Sequence, residues 1–279
     1  MKLVFHERAT AAKAVALFLA LLFEGCLACA GASAAPQSAD QQDPEVELGK
    51  EVYDDLKSKG QIVATSPLYA TLEPIATRIT KAAQPSYPHP FRFYLVHQTQ
   101  PNAFSTPGGN VYVADSLLYF VKNTEELAGT LCHEVAHTIH HDTMVLAEKR
   151  QRLALREVGA DVILGPTPVH ILAMALLGKL NSLGYSRDVE SRADVTGSDI
   201  CASAQYNPWG LVWLFADFED ANIGEVPELL SDHPGNAHRV ATLKEHYRRN
   251  PETFARFDPD RGSATPFRVP AEMAETFVH

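Results

Sequence analysis

The stretch 123–141, NTEELAGTLCHEVAHTIHH, decides the interpretation of this chain. Asn123 and Glu126 have the spacing of a capping box, which predicts the start of a helix that runs to about His141. Apolar residues recur along this helix at helical spacing, at Leu127, Leu131 and Val135. The stretch therefore predicts a helix that packs an apolar face into a hydrophobic core.

His133 and His137 stand four residues apart in this helix. Residues at that spacing share one face, so both imidazoles can reach a single metal ion. Neutral imidazole suits zinc, which lowers the pKa of a bound water to about 7. Glu134 can lean over that water, take its proton and pass the proton to a leaving amine. The alternative is a pair of surface histidines on a polar helix face.

A catalytic zinc site needs three protein ligands and one open position. The segment 186–194, SRDVESRAD, places Glu190 and Asp194 four residues apart on one face of another predicted helix. Glu190 can ligate zinc, and Asp194 can accept the second ring N–H of a ligating histidine. A solvated helix with paired charges is the alternative. His140 and His141 directly follow the first motif and are expected to be solvated at its helix end.

The rest of the chain shows mostly helical patterns. Strands are predicted at 91–97 and 110–114, where aromatic and β-branched residues cluster. Helical spacing and caps predict further helices at 44–59, 66–79, 115–121, 144–158, 168–183, 187–204, 208–220 and 236–248. The apolar run Val158–Leu183 is interrupted by Gly165-Pro166 and is too short for a membrane span. A core helix is expected there, with a membrane-contacting or substrate-contacting surface as the alternative.

Composition limits the class of protein. Of the 279 residues, 46% are hydrophobic and 21% are charged, which is typical of a globular protein with a substantial core. The formal net charge of −10 argues against nucleic acid as a partner, because phosphate binding requires a basic surface. Cys132 and Cys201 are too few for a disulfide scaffold, and the sequence leaves open whether they pair. Cys132 is expected to be a buried small residue rather than a metal ligand.

The first 34 residues have the organisation of a secretory signal. A basic start precedes the apolar run Ala14–Phe23, and two Ala-x-Ala cleavage sites follow before Ala35. The protein is therefore expected to be exported to the periplasm or another extracytoplasmic compartment. Retention of the segment as a membrane anchor and lipid attachment at Cys26 or Cys29 are the alternatives.

Three blocks of sequence carry a resemblance to a known family. They are Asn102-Ala103-Phe104 with Pro107-Gly108-Gly109 and Val111-Tyr112-Val113, then Glu126-Leu127-Ala128 with the 133–137 motif, then Ser186-Arg187 through Glu190 to Ala193-Asp194. A weaker fourth block is Asp232-His233-Pro234 with Arg239. In this order the blocks resemble the zinc endopeptidases related to the CAAX prenyl protease and the heat-shock protease HtpX. The resemblance covers about residues 45–248, and the exported soluble branch is the closer likeness.

The resemblance implies a role for each matching residue. His133, His137 and Glu190 would ligate one Zn²⁺ per chain, and Glu134 would be the general base and acid. The turn 107–109 and the strand after it would form the upper edge of the cleft, where an extended substrate adds as a further strand. The substrate-binding residues are then Gly108, Gly109, Asn110, Val111, Tyr112 and Val113.

His233 has three interpretations at this point. It stabilises the oxyanion of the tetrahedral intermediate, or occupies the fourth zinc position and holds the enzyme latent, or is a surface residue before a proline. Arg239 either orients the segment around His233 or is a surface charge on a helix.

Together these inferences predict an α+β, mostly helical fold with a small sheet over the active-site helix. We expect a signal peptide at 1–34, a linker at 35–44, a zincin-like metallopeptidase domain of the gluzincin type at 45–248 and a tail at 249–279. The expected activity is zinc-dependent endopeptidase cleavage of unfolded or extended polypeptides, in quality control of envelope proteins. Membrane association through the N-terminus is expected if that segment is retained or lipidated. The alternative is a latent or chaperone-like binding module with a closed zinc site.

Overall fold

The computed structural model describes residues 43–158, 184–220, 233 and 236–270. Its helices are α1 (Pro44–Ser58), α2 (Tyr69–Ala83), α3 (Asp115–Phe120), α4 (Thr124–Ile139), α5 (Asp142–Val158), α6 (Arg187–Ser203), α7 (Trp209–Asp220), α8 (Asn236–Arg249) and α9 (Pro251–Phe254). Its strands are β1 (Arg92–Val96), β2 (Ala103–Thr106) and β3 (Asn110–Ala114). Short 3-10 turns lie at Gln84–Ser86, Pro107–Gly109 and Arg261–Ser263. The predicted α+β, mostly helical class is confirmed.

The central helix α4 begins where the capping box predicts. Oδ1 of Asn123 accepts the N–H of Glu126 at 2.9 Å, and Oε2 of Glu126 accepts the N–H of Lys122 at 2.7 Å. The helix ends at Ile139, two residues before the predicted limit, and His141 has a left-handed φ of 57°. Every side chain from residue 125 to residue 138 is buried, so α4 packs on all sides rather than on one face.

Glycines let neighbouring helices approach α4 closely. A Cβ at Gly197 of α6 would lie 3.0 Å from the backbone nitrogen of His133. A Cβ at Gly210 of α7 would lie 2.0 Å from the carbonyl oxygen of Glu125. Because no other residue lacks a Cβ, these two positions set how near α6 and α7 lie to the helix with the histidine motif.

The sheet has the order β1-β3-β2 in the described part of the chain. β3 pairs with β1 in parallel, with Tyr94 opposite Tyr112, and with β2 antiparallel, with Phe104 opposite Tyr112. β1 and β3 lie within the predicted strands. The sequence analysis missed β2, because four residues that read AFST carry too little alternation to indicate a strand.

Residues after α8 pack against the start of α4 and against α7. The backbone of Thr265 accepts the N–H of Thr124 at 2.9 Å, and Trp213 Nε1 donates to the carbonyl of Pro259 at 3.0 Å. Part of the expected tail therefore contacts the core directly.

Some sequence predictions lie outside the described residues. They are the helix at 168–183, nearly all of the apolar run Val158–Leu183, and the segment 1–34. Within the described ranges, the helices lack the combination of length and apolar character that crossing a membrane requires.

Candidate metal centre

Four buried side chains from separate parts of the chain converge on one point. They are His133 and His137 on α4, Glu190 on α6, and His233, which precedes α8. One donor atom from each residue lies within 4.8 Å of the donor atoms of the others. The structure thus brings the three sequence-predicted ligands together and adds His233 to them.

The spacing of these donors fits a tetrahedral zinc ion. The Nε2 atoms of His133 and His137 are 3.0 Å apart, and the carboxylate of Glu190 lies 3.4 Å from the first and 3.7 Å from the second. Two ligand atoms at about 2.0–2.1 Å from a tetrahedral zinc are about 3.4 Å apart. Imidazole nitrogens with one carboxylate also suit zinc, whereas magnesium and calcium prefer oxygen ligands throughout.

Asp194 and Arg239 support His133 on the side of its ring away from the donor group. Oδ1 of Asp194 lies 3.0 Å from Nδ1 of His133. Arg239 donates to both oxygens of Asp194, at 2.8 Å from Nε and 2.7 Å from Nη2, and is only 2% exposed. Asp194 is therefore placed as the sequence predicts, and the interpretation of Arg239 as a surface charge is wrong.

The second histidine has a carboxylate partner that the sequence analysis missed. Oδ2 of Asp142 lies 3.0 Å from Nδ1 of His137. Asp142 stands beyond the end of α4, and the left-handed backbone at His141 turns the chain so that the first residue of α5 returns to His137. Helical spacing could not reveal this contact, because it depends on where α4 ends.

Glu134 lies beside the donor group, and one of its carboxylate oxygens faces His233. It is 2% exposed, and its Oε1 lies 3.5 Å from Nε2 of His233. That oxygen has no hydrogen-bond partner among the described residues. Burial raises the pKa of Glu134. A buried carboxylate whose Oε1 accepts no hydrogen bond from the described residues is suited to accept a proton from a bound water.

Burial and mutual contacts shift the pKa values of the residues in and around the donor group. Burial and Arg239 lower the pKa of His133, but hydrogen bonds to Asp194 and Glu190 outweigh them and raise it to about 9. Burial, with the charge of His133, holds the pKa of His137 well below its usual value. Burial opposes ionisation of Glu190, yet the neighbouring histidines lower its pKa. Burial likewise opposes ionisation of Asp194, but Arg239 and His133 lower its pKa to about 2.

His233 is an inner member of the group. It is 4% exposed, and its Nδ1 lies 2.9 Å from Oε1 of Glu190 and 3.3 Å from Nε2 of His133. Arg239 Nη1 donates to its backbone carbonyl at 3.0 Å. The interpretation of His233 as a surface residue is therefore wrong. Its position is compatible both with stabilising the oxyanion and with occupying the fourth zinc position.

The two histidines after the motif lie away from the donor group. His140 is half-buried and hydrogen-bonds to Thr196 at 2.8 Å, so its expected full solvation is not observed. His141 is exposed and pairs with Glu45 of α1.

The predicted substrate strand does not lie at an edge of the sheet. The residues concerned, Gly108, Gly109, Asn110, Val111, Tyr112 and Val113, are all buried. β3 is the central strand, and its backbone groups already pair with β1 on one side and β2 on the other. The prediction that a substrate adds to this strand is therefore wrong, because no free ladder remains there.

The two cysteines in the described part of the chain lie in the core. Cys132 and Cys201 are both free and buried. Sγ of Cys201 donates to the carbonyl of Ala128 at 3.3 Å, which places it against α4. The expectation that Cys132 is a buried small residue is confirmed.

Comparison with known proteins agrees with this centre. Residues 67–247 match peptidase family M48. The chain belongs to peptidase family M48. This membership confirms the resemblance found in the sequence blocks and the zincin-like metallopeptidase fold, and it accounts for a donor group that suits zinc.

M48 relatives of several kinds are similar to this chain. The beta-barrel assembly-enhancing protease of Yersinia pestis is 26% identical over 202 residues, which cover 69% of this chain and 41% of that protein. The mitochondrial metalloendopeptidase OMA1 of Schizosaccharomyces pombe is 27% identical over 161 residues, covering 56% of this chain and 46% of that protein. Protease HtpX of Legionella pneumophila is 26% identical over 199 residues, which cover 56% of this chain and 70% of that protein. The chain thus spans less than half the length of the first two.

Proposed function

We infer that this M48 protein is a zinc-dependent endopeptidase with one zinc site per chain, ligated by His133, His137 and Glu190. The observation that carries the inference is the position of Glu134, a buried carboxylate beside three donors at zinc-like spacing, with an oxygen that accepts no hydrogen bond from the described residues. A purely structural zinc site has no use for such a carboxylate.

The chemistry divides between the metal and the side chains around it. Zinc bound here would polarise the scissile carbonyl and acidify a water. Glu134 accepts the proton of that water and delivers it to the leaving amine. Asp194 holds the ring of His133, and Arg239 holds Asp194, so that Nε2 stays directed at the donor group.

The substrate is an unfolded or extended polypeptide, and β2 is the strand that receives it. Among the described residues, β2 pairs with β3 on one side only. The carbonyl of Asn102 accepts the N–H of Ala114, so the backbone groups of Ala103 and Ser105 point away from β3. An extended peptide can pair with those groups next to α4. The residues 108–113 then support β2 through the neighbouring strand β3, on the side away from the substrate.

The cellular role follows from the N-terminal segment and the relatives. A signal peptide at 1–34, followed by a linker at 35–44 and the peptidase domain at 45–248, would deliver the enzyme to the periplasm. Similarity to a protein named beta-barrel assembly-enhancing protease supports quality control of envelope proteins, because such barrels reside in the outer membrane. Anchoring or lipidation of the N-terminus would add membrane association.

A second candidate function rests on His233. With His233 included, the centre offers four protein donors, which is the ligand count of a closed zinc site. A closed site would make the protein latent, or a chaperone-like binding module. The two candidates differ in whether His233 leaves the metal to admit water.

Cleavage of casein by the purified protein tests the proposed function. The parent, Glu134→Gln and the control Glu148→Gln, an exposed glutamate paired with Arg152, are compared at equal zinc content. Cleavage by the parent and the control, but not by Glu134→Gln, is expected. Equal cleavage by all three would show a contaminating protease, and cleavage by none would favour the closed site.

A further inference from the structure

Both histidines of the α4 motif contact an aspartate through Nδ1, and an arginine binds each of these aspartates. His133 contacts Asp194, which Arg239 binds, and all three residues are buried. The sequence motif accounts for that set. His137 has an equivalent set, built from Asp142, which lies outside every motif considered above, and Arg192, to which the sequence analysis assigned no role.

The second set is formed by Asp142 and Arg192. Asp142 is 5% exposed, and its Oδ2 lies 3.0 Å from Nδ1 of His137. Its other oxygen, Oδ1, accepts from Nη2 of Arg192 on α6. Asp142 therefore links α4, through His137, with α6, the helix that carries Glu190.

The contact settles which ring nitrogen of His137 carries the proton. A carboxylate at Nδ1 accepts a hydrogen bond and holds the proton there. Nε2 is then an acceptor directed at the donor group, 3.0 Å from Nε2 of His133. The ring of Tyr185 stacks on His137 with centroids 4.3 Å apart and planes 15° apart, which fixes the plane of the imidazole.

We propose that Asp142 is a positioning residue for the metal, which fixes the tautomer and direction of His137, and that Arg192 holds Asp142 in place. This inference rests on the proposed zinc site. Arg192 is half-exposed, and an exposed charge stabilises a pair weakly, so Asp142 contributes more than Arg192 does.

Zinc affinity measured by competition with a chromophoric chelator tests the proposal. Asp142→Ala should weaken the Kd by about 10- to 100-fold, the usual effect of losing such a partner. Asp142→Asn should lose less, because its amide oxygen still accepts from Nδ1. Arg192→Ala should have a small effect in the same direction.

Asp199→Ala is the matched control. Asp199 also pairs with a histidine, His246, at 2.9 Å, but at the surface and away from the donor group. Its removal should leave zinc affinity unchanged. Zinc affinity of Asp142→Ala equal to that of the parent would overturn the proposal.

A second readout needs no metal. Nitrogen-15 NMR of histidine-labelled, zinc-free protein should show His137 protonated at Nδ1 in the parent and at Nε2 in Asp142→Ala. If Asp142→Ala does not fold, Asp142→Asn replaces it in the zinc measurement, where its affinity must be weaker than that of Asp199→Ala. A parent that binds no zinc would instead refute the proposed function, while an unchanged tautomer in Asp142→Ala would refute the role of Asp142.

Discussion

The carboxylate of Glu190 on α6 lies 3.4 Å from Nε2 of His133 on α4. The two helices meet closely at Gly197, about two turns after Glu190 on the same face of α6, where a Cβ would lie 3.0 Å from the backbone nitrogen of His133. The third donor of the metal centre therefore depends on how α6 packs against α4.

Glu190→Ala should abolish stoichiometric zinc binding while the helical fold persists. The substitution removes a donor itself, so the loss of affinity should exceed the about 10- to 100-fold expected for an outer partner. Zinc content after dialysis, with the far-ultraviolet circular dichroism spectrum as the check on folding, measures this. Asp188→Ala, an exposed change in the same helical turn, is the control. Full zinc retention in Glu190→Ala would remove Glu190 from the ligand set.

His233→Ala should raise casein cleavage, by up to about tenfold if the closed arrangement dominates. The Nδ1 of His233 lies among the donors, 2.9 Å from Glu190, and removing the ring opens a position for water. Steady-state rates at saturating zinc measure the change. A fall in kcat would instead assign His233 to stabilising the oxyanion.

Zinc binding should release about one proton at pH 7. The pKa of His133 is raised to about 9 in the absence of metal, so the ring is protonated at neutral pH and must lose that proton to ligate. A raised pKa means that acid opposes binding, and affinity should fall about tenfold per pH unit below pH 9. Calorimetry in two buffers of different ionisation enthalpy measures the protons released. No proton release at pH 7 would contradict the raised pKa.

Arg261→Ala should destabilise the protein by about 2–4 kcal/mol. Arg261 donates to the buried carboxylates of Glu126 at 2.6 Å and Asp217 at 2.7 Å, which would lose a compensating charge. The melting temperature should fall by about 5–10 °C. Arg268→Ala, an exposed change nearby, should leave it unchanged. Equal melting temperatures for the two variants would show that the segment after α8 does not support α4.

The parts of the site that sequence predicted are those governed by local spacing. The pair His133 and His137 and the pair Glu190 and Asp194 each stand four residues apart in a helix, and both helices form. Asp142 was missed because its contact with His137 crosses a helix end, where the direction of the chain depends on the backbone at His141.

The sheet shows the same division. The strand pattern at 110–114 predicted β3 within its observed limits, because β-branched and aromatic residues mark it locally. Its place in the centre of the sheet depends on β2, a segment too short to recognise before its partner is known. The sequence therefore located the strand correctly but placed it at an edge of the sheet, whereas it lies in the centre.

The sequence by itself predicted the chemistry: residue types at short spacings indicated a histidine pair with Glu134 as its candidate base, and the resemblance of three blocks indicated Glu190 as third ligand and a metallopeptidase family, which the family match confirms. Tertiary structure decided that His233 and Arg239 are buried in the centre, that Asp142 holds His137 and that β2 borders the sheet. Short-range patterns encode which face of a helix a residue occupies, whereas contacts between elements depend on close packing at positions such as Gly197 and Gly210.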